Sequence, residues 1–319
     1  MLNTTIPGVD THCRLPFFLA AEEWIARNLP EGEYFFAWQV PPTVICGRNQ
    51  DVPAEVDLGF CRREGIEVYR RKSGGGAVFA DRNNIMFSYI APIAAVATAF
   101  SGYTSRVVDA LRALGLPAAP SGRNDICIDG RKVAGNAYWQ CAERSIVHGT
   151  MLYDTDPRLM AGALTPSRAK LESKKVLSVP ARINTVKSLL PDLSLRDFLT
   201  HMLSHVCDGQ LTLPAEAHSE IARISGQYCV EDFMSGDSAA TTFRLDGVGQ
   251  IGSVMLLNSH GTIERVELTG DFLCHRDLAA ALMNLSGVPP DREAVAAALG
   301  SEAIIAGLTN RQLADIIVR

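Results

Sequence analysis

The run Arg70-Arg71-Lys72-Ser73-Gly74-Gly75-Gly76-Ala77-Val78-Phe79 constrains this chain more than any other segment. It sits between two apolar, strand-like stretches, Ile66 to Tyr69 and Ala77 to Phe79. Three consecutive glycines let a backbone approach another group without side-chain obstruction, and their N–H groups can cradle an anion. The arginines and lysine just upstream can neutralise a phosphate, arginine as a bidentate fork. Taken alone, the run fits an exposed turn with a solvated basic face as well as it fits a phosphate site. It does exclude two common nucleotide folds. Phe79 stands where G-x-G-x-x-G needs its third glycine, and no G-x-x-x-x-G-K-[ST] occurs, so neither a Rossmann dehydrogenase nor a P-loop NTPase is expected.

The chain has 319 residues, 47% of them hydrophobic and 20% charged, enough for large cores and long enough for two domains. Thirty basic against 35 acidic residues give a net charge of −5, which excludes a globally cationic surface for nucleic acid or membrane. The eight cysteines include no C-x-x-C pair, so they read as reduced thiols of a cytoplasmic protein rather than a zinc site or disulfide framework. No secretory leader pattern opens the chain. The longest apolar stretch, Ile90 to Phe100, is too short to span a bilayer.

Periodicity predicts a helix over Leu15 to Leu29, with Glu22, Glu23 and Arg27 on a polar face. Strands are expected at Tyr34 to Val40, Thr43 to Cys46, Ile66 to Tyr69, Ala77 to Phe79, Ile85 to Ile90 and Ile146 to Leu152. Helices are expected at Ala54 to Glu64, Thr104 to Leu114, Leu195 to Val206 and Ala215 to Tyr228. The Ser/Gly/Ala/Asp-rich stretch Glu231 to Ala240 reads as a linker. It divides residues 1–235 from a smaller unit, 241–319, with strands at Ile251 to Leu257 and Ile263 to Leu268 followed by Ala/Leu-rich helices.

A second informative segment runs from Gly122-Arg123-Asn124-Asp125 through Asp129-Gly130-Arg131-Lys132 to Gly135. Asp129-Gly130 supplies the two positive φ angles of a type I′ hairpin turn, so Lys132 is presented just past a rigid corner. Its ammonium can hold a carboxylate or polarise a carbonyl, although the spacing equally suits an ordinary surface lysine.

In this order, the segments resemble the lipoate–protein ligase family, related in fold to biotin ligases and octanoyl transferases. The family pattern R-R-x-S-G-G-G-A-V-[FY] is matched from Arg70 to Phe79, and its second motif by Gly122 to Asp125 and Asp129 to Gly135. His148-Gly149-Thr150-Met151-Leu152 is similar to its H-G-T-L-L strand. Lys170 to Val179, with Arg182 and Asn184, resembles its adenylate-binding loop. Pro16 to Glu23, Thr43 to Gln50, and Gly270-Asp271-Phe272 of a C-terminal accessory domain also fit. The resemblance implies an α/β (α+β) fold, a mixed sheet flanked by helices, with a small C-terminal αβ domain. It implies ATP-dependent conversion of lipoate to lipoyl-AMP, with Mg2+, and transfer of the lipoyl group to a lysine of an acceptor lipoyl domain. Acceptors of that kind are 2-oxoacid dehydrogenase E2 subunits and the glycine cleavage H protein, and a monomer is expected.

By the same resemblance Lys132 is catalytic. Arg71, Ser73, Gly74, Gly75, Gly76, Ala77, Val78, Phe79, Asn124, Asp125 and Lys132 would bind ATP and lipoyl-AMP. His148 and Gly149 would line the substrate pocket. One departure stands out: Ala80-Asp81-Arg82-Asn83-Asn84 replaces the family's His-Asp-x-Gly-Asn. The metal ligands are left open, with Asp81 and Asp125 as candidates beside the reading of solvated turn aspartates. His201 and His205 have metal-ligand spacing but no third ligand in sequence. Trp24, Trp38 and their aromatic neighbours read as core. No Ser–His–Asp set is expected. Two alternatives stay open: an acyl transferase using a Cys141 thioester, and a non-catalytic lipoyl- or nucleotide-binding protein.

Overall fold

Strand Ile85–Pro92 organises the molecule, because its alternate residues are apolar on both faces. Phe87, Tyr89 and Ala91 point into one core, while Met86 and Ile90 point into another. Such a strand must lie in the middle of a sheet covered on both sides. The computed structural model describes residues 1–10, 12–122, 124–165, 183–229, 241–245 and 248–318. Arg123, Lys170 to Val179, Arg182 and the Glu231 to Ala240 linker fall outside them.

In chain order the N-terminal region comprises β1 (Leu2–Thr5), α1 (Leu15–Asn28), β2 (Tyr34–Trp38), β3 (Thr43–Cys46), α2 (Val52–Glu55), α3 (Leu58–Glu64), β4 (Glu67–Arg70), β5 (Val78–Ala80), β6 (Ile85–Pro92) and α4 (Val96–Ala113). It continues with β7 (Ala118–Ser121), β8 (Asp125–Ile128), β9 (Arg131–Cys141), β10 (Arg144–Met151), α5 (Pro157–Ala163), α6 (Val186–Leu189), α7 (Leu195–Val206), β11 (Gly209–Thr212) and α8 (Ala217–Ser225). The C-terminal region holds β12 (Thr241–Leu245), β13 (Gly249–Leu257), β14 (Ile263–Gly270), α9 (Leu278–Met283), α10 (Arg292–Leu299) and α11 (Asn310–Ile317).

An eight-stranded mixed sheet runs β11-β1-β2-β6-β10-β9-β8-β7, parallel only where β1 meets β11 and β2. Helices α4 and α7 cover one face, and α1 with α8 covers the other. A smaller sheet, β4-β3-β5, packs with α2, α3 and α5 and carries the glycine run as its β4–β5 connection. A third sheet, β12-β13-β14, forms the C-terminal core with α9 to α11. That region is not wholly separate. Leu273 and Ala306 are buried in the core of the large sheet.

Three sequence expectations are corrected. The helix expected from Thr104 begins at Val96, since Ala95 to Phe100 contains nothing that stops a helix. The single helix expected over Ala54 to Glu64 is two, because Val56 turns extended to bridge Leu164, and Asp57 then caps α3 through Phe60 N–H. Glu22 and Glu23 do not face water. Helix α1 is buried all round, and both carboxylates point at partners inside. Among the described residues no helix is long and apolar enough to cross a membrane.

Candidate active site

The glycine loop is clamped from three sides. Arg71 is 4% exposed and its guanidinium turns inward. Nε donates to the Ser73 hydroxyl (2.8 Å), Nη1 to the Ile45 carbonyl (2.9 Å), and Nη2 to the carbonyls of Gly74 (2.7 Å) and Gly76 (2.9 Å). Burial pulls its pKa down to about 10, so it stays charged at neutral pH. Arg70 likewise reaches back to the carbonyls of Gly47, Arg48 and Gln50. The guanidinium expected to grip a phosphate therefore ties the loop into its ring. Lys72 turns away to Glu23 on α1 (2.6 Å), with its ammonium 4.8 Å from the Tyr228 ring centroid.

Close approach explains the glycines. A β-carbon at Gly47 would meet the Gly75 carbonyl, and one at Gly74 would meet the carbonyl of Phe272. Gly75, at φ +91°, donates its N–H to that same Phe272 oxygen (3.0 Å), and Leu273 packs beside it. The Gly270–Leu273 segment thus docks directly on the loop. Ser73 is fully buried, Gly76, Ala77 and Val78 are half-buried, and the Phe79 side chain belongs to the small-sheet core.

Lys132 reaches the same face of the large sheet by a local irregularity. The β8–β9 hairpin turns at Asp129 (φ 50°) and Gly130 (φ 74°), as the sequence requires. Cys127 pairs with Lys132 but Ile126 with Ala134, so Val133 is an extra residue on β9. Strand alternation would put Lys132 with Ala134, whose side chain enters the α4/α7 core. The bulge reverses this and puts Lys132 on the face of Gly135 and Ala137. Its ammonium pairs with Asp125 (2.8 Å), the side chains being 20% and 13% exposed, and lies against Gly135. Ala137, two residues further along, lies beside the glycine loop, where a β-carbon at Gly75 would come within 3.9 Å of it. The bulge thereby brings the two sequence motifs to one place. Asn184 joins them, donating its N–H to the Lys132 carbonyl (2.8 Å). Asn124 instead bonds the Asn136 backbone and secures the β8–β9 edge.

A buried polar chain crosses the site. Trp38 Nε1 donates to the Ser88 hydroxyl (2.8 Å), which donates to Glu22 (2.5 Å). His148 Nδ1 lies 2.8 Å from the other Glu22 oxygen, and its Nε2 lies 2.6 Å from the Ser73 hydroxyl. No Ser–His–carboxylate set was legible in the sequence, yet Ser73, His148 and Glu22 stand in line. Their separations of 75 and 126 residues gave no signal, and Glu22 was hidden in a helix that reads as amphipathic. Gly149 is needed because the Asn136 amide crosses it.

The remaining candidates form no hydrogen bond with these groups among the described residues. Cys141 is buried at the far end of β9, nine residues and about 30 Å of extended chain from Lys132. Burial pushes its thiol pKa up to about 11, the opposite of what a nucleophile needs. Asp81 accepts N–H groups of Asn83 and Asp156, and burial raises its pKa. His201 and His205 lie side by side on α7 with ring centroids 3.9 Å apart and planes tilted by 30°, and His201 bonds the Ala110 carbonyl. No group of three or more His, Cys, Asp or Glu able to hold a metal occurs among the described residues.

The family model described as "Lipoyl protein ligase A/B catalytic domain" matches residues 16–207. The chain is 33% identical over 322 residues to the probable lipoate-protein ligase A of Mycoplasma pneumoniae, covering 95% of each. It is 32% identical to lipoate-protein ligase LplJ of Bacillus subtilis, covering 87% of this chain and 88% of that one. In fold it is similar to Plasmodium falciparum LipL1, solved in complex with lipoate (TM-score 0.77, 16% identity, 98% of this chain and 97% of the other). It is also similar to a lipoate-protein ligase A bound with ATP (TM-score 0.60, 24% identity, 73% of this chain and 96% of the other).

Proposed function

The chain belongs to the lipoyl protein ligase A/B family, and from that premise we propose that it is an ATP-dependent lipoate–protein ligase. It joins lipoate to AMP with release of pyrophosphate, then passes the lipoyl group to a lysine of an acceptor lipoyl domain. The observation that carries the reading is the convergence of Lys132 and the glycine loop on one sheet face, through Gly135, Ala137 and Gly75.

The chemistry asks little of the protein beyond charge and position. The lipoate carboxylate attacks the α-phosphorus and pyrophosphate leaves. The acceptor amine then attacks the acyl carbonyl and AMP leaves. Lys132 neutralises the carboxylate in the first step and donates to the carbonyl oxygen as charge builds in the second. Arg71 serves at one remove by holding Ser73, Gly74 and Gly76 in place. His148 and Gly149 stand on β10 across from Ala137 and Asn136, where a pocket wall is required. The described residues fit no protein cage for Mg2+. The ion would arrive on the nucleotide phosphates, as is usual for so strongly hydrated a cation. Because Phe272 occupies the Gly75 N–H, nucleotide entry requires the Gly270–Leu273 segment to withdraw.

Acceptors in this reading are E2 lipoyl domains of 2-oxoacid dehydrogenases or the glycine cleavage H protein, and the enzyme works as a cytoplasmic monomer of two domains. The deciding experiment incubates the purified chain with lipoate, Mg-ATP and a lipoyl domain. A lipoyl mass shift on the acceptor with one pyrophosphate released per transfer supports the ligase. Transfer without pyrophosphate, or nucleotide binding without transfer, would replace it with one of the two alternatives.

A further inference from the structure

We propose that Glu22 and His148 are positioning residues for the glycine loop, acting through the Ser73 hydroxyl; this rests on the ligase reading above. Glu22 and Ser73 are fully buried and His148 is 5% exposed. A buried carboxylate–imidazole pair is a poor source of stability, since apolar groups of the same volume usually do as well or better. Its worth lies in direction. Its outer end touches the residue from which the glycines begin.

The donors and acceptors of the chain fit one polarity. Ser73 Oγ accepts from Arg71 Nε, so its own proton is free to go to His148 Nε2. His148 then carries its proton on Nδ1 and donates to Glu22, whose Oε1 also accepts from Ser88. Ser73 is thereby held from two sides, by the loop's own arginine and by β10 of the large sheet. Changing Glu22 to glutamine disturbs that order. The amide cannot accept from both His148 and Ser88 while keeping its N–H groups satisfied. When the imidazole answers by moving its proton to Nε2, Ser73 receives two donors and its hydroxyl proton loses its acceptor. The disturbance therefore arrives at the loop, about one hydrogen bond in size.

The same three groups stand in the order of a serine hydrolase triad. Ser73 is nevertheless enclosed, with Arg71 on its oxygen, and the Gly75 N–H that could meet an oxyanion is bonded to Phe272. The geometry favours holding over attack.

The test uses the full chain and the variants Glu22→Gln, His148→Asn and Ser73→Ala, with each of the first two also combined with Ser73→Ala. His148→Asn keeps an N–H for Glu22 and removes only the link to Ser73, so it carries the test if Glu22→Gln does not fold. Two quantities are read: amide hydrogen exchange at residues 73–76, and KM for ATP and for lipoate in lipoate-dependent ATP–pyrophosphate exchange. Each single variant should speed loop exchange and raise KM for ATP by about five- to tenfold, the effect of one lost hydrogen bond, and in Glu22→Gln, which lines no part of the pocket, KM for lipoate should stay nearly unchanged. On the Ser73→Ala background neither should add anything. Unchanged loop exchange, additive effects in the double variants, or a shift confined to KM for lipoate would overturn the proposal. So would an acyl adduct on Ser73 detected by mass spectrometry. A wild-type chain that makes no lipoyl-AMP would defeat the ligase reading instead, while the exchange cycle would still decide the role of Glu22 and His148.

Discussion

Replacing Lys132 by methionine separates its charge from its bulk. The side chain keeps its length over Gly135, but the ammonium that pairs with Asp125 at 2.8 Å is lost. With side chains 20% and 13% exposed, that pair is partly screened. Its loss should cost about 1 kcal/mol of stability, at the upper end for surface pairs, or about 2 °C in Tm for a chain of this size. The catalytic loss should be far larger. One preorganised donor to a developing oxyanion is worth about 2.7–4 kcal/mol, or roughly 10²–10³ in rate. Lys132→Arg should recover little of this. The ammonium already lies against Gly135, and Ile183 bridges the Lys132 backbone, so a planar guanidinium has no room to present a single compact donor. The assay is single-turnover transfer from pre-formed lipoyl-AMP to a lipoyl domain, with Tm recorded for each variant. Transfer by Lys132→Met at the wild-type rate would refute the reasoning, and a simultaneous dead Cys141→Ser would install the thioester mechanism in its place.

Arg71→Ala should weaken adenylate formation and stability together, since it strips donors from the loop carbonyls of Gly74 and Gly76 and from the Ile45 carbonyl of β3; a cost of about 3 kcal/mol or more is expected from urea unfolding, and an unperturbed midpoint would return Arg71 to a purely ligand-facing role. Leu273→Ala loosens the docked segment while leaving every residue of the loop in place, so KM for ATP should fall, by up to about tenfold if the docked state dominates; an unchanged or higher KM would show that Phe272 does not compete with nucleotide. Buried thiols make the fold sensitive to alkali. Cys46 and Cys141 are raised to about 11 from an ordinary 9.0, chiefly by burial, so the folded state holds their protons longer than the unfolded one. Their contribution is complete below pH 9 and is lost as pH rises toward 11. Urea midpoints should fall across that window, and less steeply in Cys141→Ala; an identical slope in the variant would remove the thiol from the account.

Several features of the fold were local, and local features were legible. The I′ turn at Asp129-Gly130 is set by two residues whose allowed φ angles leave few alternatives. Helices α1 and α7 matched their apolar periods almost to the residue, and strand β3 matched its apolar run. The order of the motifs was also legible, and with it the expectation of a ligase. Relatives at 32–33% identity over most of the chain bear out the family.

Direction was not legible, because the surroundings decide it. Arg71 and Lys72 adjoin a glycine run, yet one turns into the loop's carbonyls and the other to Glu23, since those acceptors lie nearest once β3 and α1 have packed. Glu22 occupies a position that helical periodicity alone assigns to water, and only the sheet brought in behind α1 gives it His148 and Ser88 as partners. Lys132 reaches the site because Val133 is bulged out of register, an event fixed by how β8 pairs with β9 rather than by either strand. Local composition and spacing set how each short segment would bend. Which way the charged groups face was decided by tertiary packing, because a buried charge must find its partner among residues that are distant in the chain.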